Sequence, residues 1–121
     1  MNDHQAIFDL VETYLRCIYE GNTEGLHEVF HPNARIEDVV MGTYRSRSAD
    51  EYIRAVGSRQ SPSAAGEAFA MVPVSIEVHG DMAAMTADLR FLGNHYINLL
   101  SALRCDGRWL ITHKLFGTPG L

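Results

Sequence analysis

Apolar residues recur along the first twenty positions with the spacing of one helix face. The stripe falls at i, i+3, i+4, i+7, i+8 and i+11 and consists of Ile7, Leu10, Val11, Tyr14, Leu15 and Ile18. This spacing predicts an amphipathic helix with a buried inner face. Asn2 can cap its start with Gln5 reaching back to it, and Gly21 suits the position after its end.

A short second helix and a strand are predicted next. The helix follows Asn22, and its inward residues are Leu26, Val29 and Phe30. Pro32 stops it, because proline disfavours helical geometry in the residue before it. Residues 34–40 then have the composition of a strand.

A third helix is predicted from a capping box. Ser48 and Glu51 have the spacing in which each side chain bonds the other residue's backbone, and this helix ends near Gly57. Residues 58–68 are rich in Ser, Pro, Gly and Ala without periodicity, and they predict a loop.

From residue 69 onward the hydrophobic period changes from 3.6 to 2. The pattern predicts one strand before a turn at Gly80, and three more over 82–92, 95–105 and 108–116. Asp106-Gly107 is the strongest hairpin signal, a type I′ turn with positive φ at both residues. Three helices followed by an antiparallel meander predict an α+β fold.

The two-residue turn also predicts the register of the last hairpin. If Cys105 faces Arg108, one sheet face carries Tyr96, Asn98, Leu100, Ala102, Ile111, His113 and Leu115. The other face carries Ile97, Leu99, Leu103, Leu110 and Phe116, interrupted by Ser101, Thr112 and Lys114. Both faces are largely apolar. One must cover the helices, and we expect a second copy of the chain to bury the other in a homodimer.

Length, charge and cysteine content limit the classes of partner and the location that we expect for the protein. The 121 residues suit a single domain over 1–121, and the net charge of −5 disfavours nucleic acid. No apolar run approaches the ~18 residues of a membrane span, and the polar start is not that of a signal peptide. Two cysteines are too few for a disulfide framework and favour a cytoplasmic location.

Several segments carry a family resemblance. The stripe of the first helix and residues 20–22 and 29–34 are similar to the opening of nuclear transport factor 2-like (SnoaL-like) domains. Residues 101–111 and 114–116 are similar to their closing hairpin. The Phe-His-Pro-Asn-Ala segment at 30–34 and the Asp-Gly-Arg-Trp segment at 106–109 occur in the expected order. The chain most resembles the bacterial subgroup described as lumazine-binding.

The resemblance implies a cystatin-like cone, in which a strongly bent antiparallel sheet wraps around the N-terminal helices and encloses a cavity. It also implies a homodimer. Members of the family include cofactor-free dehydratases, isomerases and cyclases as well as binding modules without catalysis.

The residues expected inside the cone suggest acid–base chemistry. His113, Asp38 and Tyr14 are the candidate catalytic residues, because buried carboxyl, imidazole and phenol groups can exchange protons near neutral pH. The candidate ligand-binding residues are Tyr96, Asn98, Ile18, Phe30 and Leu115. Each of these side chains is also compatible with a purely structural role in the core.

One further motif, His27-Glu28-Val29-Phe30-His31, matches the zinc-protease pattern H-E-x-x-H. Pro32 follows at once, whereas that motif needs a longer helix to frame a metal. The leading hypothesis is therefore a protein that binds a small planar or apolar molecule and needs no cofactor, either as a binder or as a lyase or isomerase. The alternatives are a non-catalytic dimeric module with a side-chain-filled cavity and, more remotely, a zinc hydrolase.

Overall fold

The computed structural model describes residues 2–120, which form three helices and six strands. In chain order these are α1 (Asp3–Glu20), α2 (Thr23–Val29), β1 (Phe30–Val40), β2 (Thr43–Ser48), α3 (Ala49–Ser58), β3 (Met71–His79), β4 (Met82–Phe91), β5 (Asn94–Cys105) and β6 (Arg108–Gly117). No helix within the described residues is long and apolar enough to cross a membrane.

Helix α1 begins and ends as its sequence predicts. Asn2 Oδ1 accepts a hydrogen bond from the Gln5 backbone nitrogen at 2.8 Å, and Gly21 adopts a left-handed φ of 69°. The Gln5 side chain does not reach back to the cap, because it donates to Asp9 Oδ1 instead. The predicted stripe is buried except for Leu10, which is half-buried.

The six strands form one curved sheet that does not close, in the order β2-β1-β6-β5-β4-β3. All neighbouring pairs are antiparallel except β1 and β6, which are parallel. Helix α1 packs against β3, β4 and β6 on the concave side of this sheet. The α+β cone expected from the sequence is therefore confirmed.

The first hairpin, β1–β2, differs most from the sequence prediction. Helix α2 stops at Val29, and β1 already begins at Phe30, so Pro32 lies within the strand. Strand β2 was not predicted, because its sequence Thr-Tyr-Arg-Ser-Arg-Ser lacks apolar alternation. The capping box of α3 is confirmed by bonds in both directions between Ser48 and Glu51.

The loop after α3 is attached to the body of the protein at several points. The Ser63 backbone nitrogen donates to the Tyr19 carbonyl, and the Tyr19 hydroxyl donates to the Glu67 carbonyl. The Glu67 carboxylate accepts from the Leu92 backbone nitrogen. These bonds connect the loop to the end of α1 and to the turn after β4.

The β5–β6 hairpin contains a β-bulge that changes its register. Asp106 and Gly107 have φ values of 50° and 77°, as predicted for the turn. The pairing then follows the prediction as far as Ala102 with Ile111. The next pair joins Ser101 to His113, so Thr112 is an extra residue on β6.

The predicted register is therefore wrong beyond the bulge. Leu100 pairs with Lys114 rather than with His113, and Asn98 pairs with Phe116 rather than with Leu115. An extra residue exchanges the two faces of a strand, because side chains alternate with a period of two. Lys114 and Phe116 consequently face the concave side.

Candidate functional site

A cavity of about 70 Å³ lies inside the cone. It is bounded by α1, by α3 and the residue that follows it, and by strands β2, β4, β5 and β6. Its lining residues are Ile18, Arg47, Tyr52, Arg59, Leu89, Phe91, Tyr96, Asn98, Lys114 and Phe116. The walls are thus largely apolar and aromatic, with polar groups from different elements.

Lys114 contributes the most unusual group of this cavity. Its side chain is 4% exposed, and its Nζ donates a hydrogen bond to the Tyr52 hydroxyl at 2.6 Å. The amine also lies 4.1 Å from the Tyr52 ring centroid and 5.1 Å from that of Phe116. Within residues 2–120 it forms no ion pair with a carboxylate.

The surroundings of Lys114 favour the neutral amine. Burial lowers the pKa of Lys114 well below its ordinary value, because the charged ammonium loses its hydration. The positive charges of Arg59 and Arg47 lower this pKa further. A neutral amine carries a lone pair and can accept a proton or attack an electrophile.

Two tyrosines and an asparagine form the polar floor beside this amine. The Tyr14 hydroxyl donates to Asn98 Oδ1 at 2.6 Å, and both residues are buried. Burial, followed by the nearby Tyr52, raises the pKa of Tyr14 well above its ordinary value. Burial likewise raises the pKa of Tyr52 to about 12. Both phenols therefore stay protonated, and the Asn98 amide nitrogen is left to donate to a ligand.

Two arginines stand where the cavity approaches solvent. Arg47 on β2 is half-buried, with its guanidinium carbon 5.8 Å from the Tyr52 ring centroid. Arg59, the residue after α3, is exposed and lies 5.3 Å from the ring centroid of Phe91. Among the described residues that line the cavity, three are basic and none is acidic.

Comparison with known proteins places the chain in a family. A family model described as "Putative lumazine-binding" matches residues 2–117. The chain belongs to this lumazine-binding family. The family description and the cone together suggest small-molecule binding.

Solved structures support the same fold. The chain is similar to NTF2-like proteins of unknown function from three bacteria. With the protein from Silicibacter pomeroyi DSS-3 it shares 22% identity over 98% of this chain and 100% of that one, with a TM-score of 0.81. With the protein from Shewanella baltica OS155 it shares 17% identity over 98% of this chain and 95% of that one, and the TM-score is 0.87. With the protein from Methylobacillus flagellatus KT it shares 20% identity over 98% of this chain and 93% of that one, and the TM-score is 0.81. No curated protein sequence matches the chain.

In this member of the lumazine-binding family, none of the three candidate catalytic residues is among the residues that line the cavity. His113 faces the outer side of the sheet, and its Nε2 lies 2.6 Å from Glu37 Oε1. Hydrogen bonds from Tyr44, from His113 and from Ser46 lower the pKa of Glu37 to about 2. Tyr14, the third candidate, touches the cavity residues through Asn98.

Asp38 is engaged in an ion pair on the first hairpin. It forms a two-pronged pair with Arg45, with distances of 3.0 Å and 2.6 Å between nitrogen and oxygen. The structure therefore does not bring His113, Asp38 and Tyr14 together around one space, as the predicted register had implied.

The five candidate ligand-binding residues are divided between the cavity and other places. Ile18, Tyr96 and Asn98 line the cavity. Phe30 is buried beside it, packing edge-on against Tyr14 and Tyr52 at 5.8 Å and 6.0 Å. Leu115 lies on the outer face, because the bulge reverses its side.

The zinc-protease pattern does not form one helix face. His27 and Glu28 lie in α2, but His31 lies in β1, beyond the helix end at Val29. Within residues 2–120, no group of three or more His, Cys, Asp or Glu side chains is arranged to hold a metal.

The basic residues of the cavity were not predicted from the sequence. Arg47 lies on strand β2, which was not predicted. Arg59 lies within residues 58–68, which were predicted as a loop without periodicity. Lys114 was placed on the outer face by the unbulged register. One signal was available, because Lys114 is the single lysine of the chain and stands in a strand rich in apolar residues. Lysine is among the residues least often buried, so such a position marks a special environment.

Proposed function

We propose that the protein binds a small organic anion in the cone cavity. The observation that carries the proposal is the set of basic lining residues: Arg47 and Arg59, with Lys114 beside them, line the cavity without a carboxylate among the described lining residues. The chain as a whole carries a net charge of −5, so the positive charge of the two cavity arginines is opposite in sign to the net charge of the protein.

The donor groups suit a carboxylate. Each arginine offers a planar fork that binds two oxygens of a carboxylate, and its charge persists at every physiological pH. The Asn98 amide can add a hydrogen bond from the floor. The rings of Phe91, Tyr96 and Phe116 would contact the carbon part of the ligand. This set of groups favours an anion over the purely apolar ligand expected from the sequence.

The size of the cavity limits the ligand. Its volume of about 70 Å³ is well below the ~150 Å³ of an engineered apolar cavity that takes up benzene. A short-chain acid fits this space, whereas a larger molecule could place only its anionic end here and would extend past Arg59. The remaining space and its polar lining disfavour a fully side-chain-filled interior.

A calorimetric comparison of acids with their amides tests this proposal. We expect short monocarboxylates to bind and the matched primary amides to bind at least about tenfold more weakly, because the amide loses the charge-assisted hydrogen bonds. Arg59→Gln should weaken carboxylate binding by a similar factor. Arg54→Gln is the control, because Arg54 pairs with Asp50 on the exposed side of α3. Equal binding of acids and amides, or no binding by either, would contradict the proposal.

We also propose that the outer face of the sheet forms a homodimer. Leu99, Leu103 and Leu115 are 47%, 45% and 41% exposed on this face. Exposed apolar residues grouped on one face are typical of an interface between protein chains. The sheet face that we propose as the interface is the one expected from the sequence, except that Leu115 lies on it in place of Phe116.

A further inference from the structure

The amine of Lys114, in the cavity, is neither exposed to solvent nor paired with a carboxylate among the described residues. Buried lysine side chains generally extend their amine to solvent or pair it with a carboxylate. Lys114 is 4% exposed, and its amine is bound by a phenol and surrounded by aromatic rings. Its amine also borders the cavity, so a molecule that enters can reach it.

We propose that Lys114 forms an imine with the carbonyl carbon of a short-chain oxo acid bound in the cavity. The proposal rests on the anion site described above and adds a reaction to it. Arg47 and Arg59 would hold the carboxylate near the opening, and the carbonyl group would lie toward Lys114 deeper inside. Lysine amines attack carbonyl compounds when a desolvated site keeps them unprotonated.

The reaction balances without a cofactor or an oxidant. The Lys114 nitrogen forms a bond to the carbonyl carbon, and one of its protons passes to the carbonyl oxygen to give a carbinolamine. The carbon–oxygen bond then breaks, and the hydroxyl group leaves as water with the second proton of the amine. The products are the imine and one water molecule, and nothing is oxidised or reduced.

Tyr52 is placed to move these protons. Its hydroxyl oxygen accepts from Lys114 at 2.6 Å, so its own proton is available to another oxygen. A carbonyl carbon attacked by Lys114 would bring its oxygen close to this hydroxyl. Tyr52 could donate to the departing hydroxyl group while it receives a proton from the amine. The raised pKa of Tyr52 keeps that proton on the phenol at neutral pH.

Reductive trapping on the intact protein tests the proposal directly. The protein is incubated with pyruvate and sodium cyanoborohydride at neutral pH, and the modified residue is located by peptide mass spectrometry. The chain contains one lysine, so the only other amine is the α-amino group. We expect modification at Lys114 to exceed that at the α-amine. A protein modified only at the α-amine would overturn the proposal.

An added surface lysine is the matched control. Arg54→Lys introduces an ordinary exposed amine on α3, away from the cavity. We expect Lys114 to be trapped at least about tenfold faster than this added lysine, whose pKa of ~10.4 keeps it protonated. Tyr52→Phe should slow trapping while Lys114 remains present. Faster trapping of the surface lysine would show that the cavity does not activate Lys114.

Two further reagents separate this proposal from the anion site on which it rests. Pyruvamide keeps the carbonyl and lacks the charge, whereas propanoate keeps the charge and lacks the carbonyl. We expect pyruvamide to be trapped at Lys114 about tenfold less than pyruvate. Propanoate binding without trapping of pyruvate would overturn the imine and leave the anion site in place. Equal trapping of pyruvate and pyruvamide would overturn the oxo acid and the anion site together.

Discussion

At the scale of single residues, the interior polar groups are held by short hydrogen bonds rather than by ion pairs. Tyr14 bonds Asn98, and Lys114 bonds Tyr52, each at 2.6 Å. The charged form of Lys114 has no compensating carboxylate within the described residues, so it is the form that burial penalises. This penalty makes the protonation of one residue measurable in the stability of the whole chain.

Lys114 should make stability rise with pH. Its pKa in the folded protein lies below the unfolded value of ~10.4, so between these two values the unfolded chain binds more protons. In that window the free energy of unfolding rises by up to about 1.4 kcal/mol per pH unit, and Lys114→Met removes this rise. Urea unfolding of both proteins between about pH 7 and 9 measures the effect. A difference between the two proteins that does not change with pH would contradict the assignment.

The Tyr14–Asn98 pair should behave as one unit. Tyr14→Phe leaves Asn98 Oδ1 without its donor in a buried place and should lower the free energy of unfolding by about 1–3 kcal/mol. Adding Asn98→Leu should lower stability by less than the sum of the two single changes, because both partners are then apolar. Tyr96→Phe is the control and should change stability by less than about 0.5 kcal/mol, because the half-buried Tyr96 makes no side-chain hydrogen bond within residues 2–120. Strict additivity at the two positions would show that the bond contributes little.

At the scale of helices and strands, the sequence predicted what short-range patterns encode. The α1 stripe, the Ser48 capping box and the Asp106-Gly107 turn each depend on neighbours in the chain, and all three are confirmed. The bulge depends on how β6 packs between β1 and β5. Thr112 suits a strand as well as any residue around it, so nothing local signals that it is extra. That one position decided which residues enter the cavity.

Deleting Thr112 should remove the bulge and keep Lys114 inside the cone. Without the extra residue, Ile111 and His113 become consecutive partners of Ala102 and Ser101, so Lys114 stays opposite Leu100. In the wild type and in the deletion variant Lys114 should resist acylation by an amine-reactive ester that is too large for the cavity of about 70 Å³. A lysine added on the exposed side of α3 by Arg54→Lys should react readily and is the control. A deletion variant that unfolds cooperatively and is readily acylated at Lys114 would show that the strand has shifted by one residue.

At the scale of the whole molecule, the two sides of the sheet differ in chemistry. The concave side holds the helices and the basic cavity, and the outer side presents exposed leucines around the His113–Glu37 pair. The sequence predicted two largely apolar faces and hence an interface. The basic character of the cavity could not be predicted, because it depends on three residues from separate parts of the chain that meet at one place.

Leu99→Glu tests the proposed dimer. A carboxylate at this exposed outer-face position would lie within the interface, and burying it unpaired would oppose association. We expect light scattering to give the mass of a dimer for the wild type and of a monomer for the variant. Phe8→Glu is the control, because Phe8 is an exposed apolar residue on α1. A dimer that survives Leu99→Glu would place the interface elsewhere.

The extra residue in β6 also has a consequence for how this cavity can diversify during evolution. His113 and Lys114 are adjacent in the chain but face opposite sides of the sheet. If Thr112 paired with Ser101 and the bulge were absent, His113 would turn inward and Lys114 outward, which would exchange an amine for an imidazole in the cavity at the same chain length. Such a change alters the reactive group without replacing either residue. Relatives should therefore be compared at this position by strand face rather than by aligned residue.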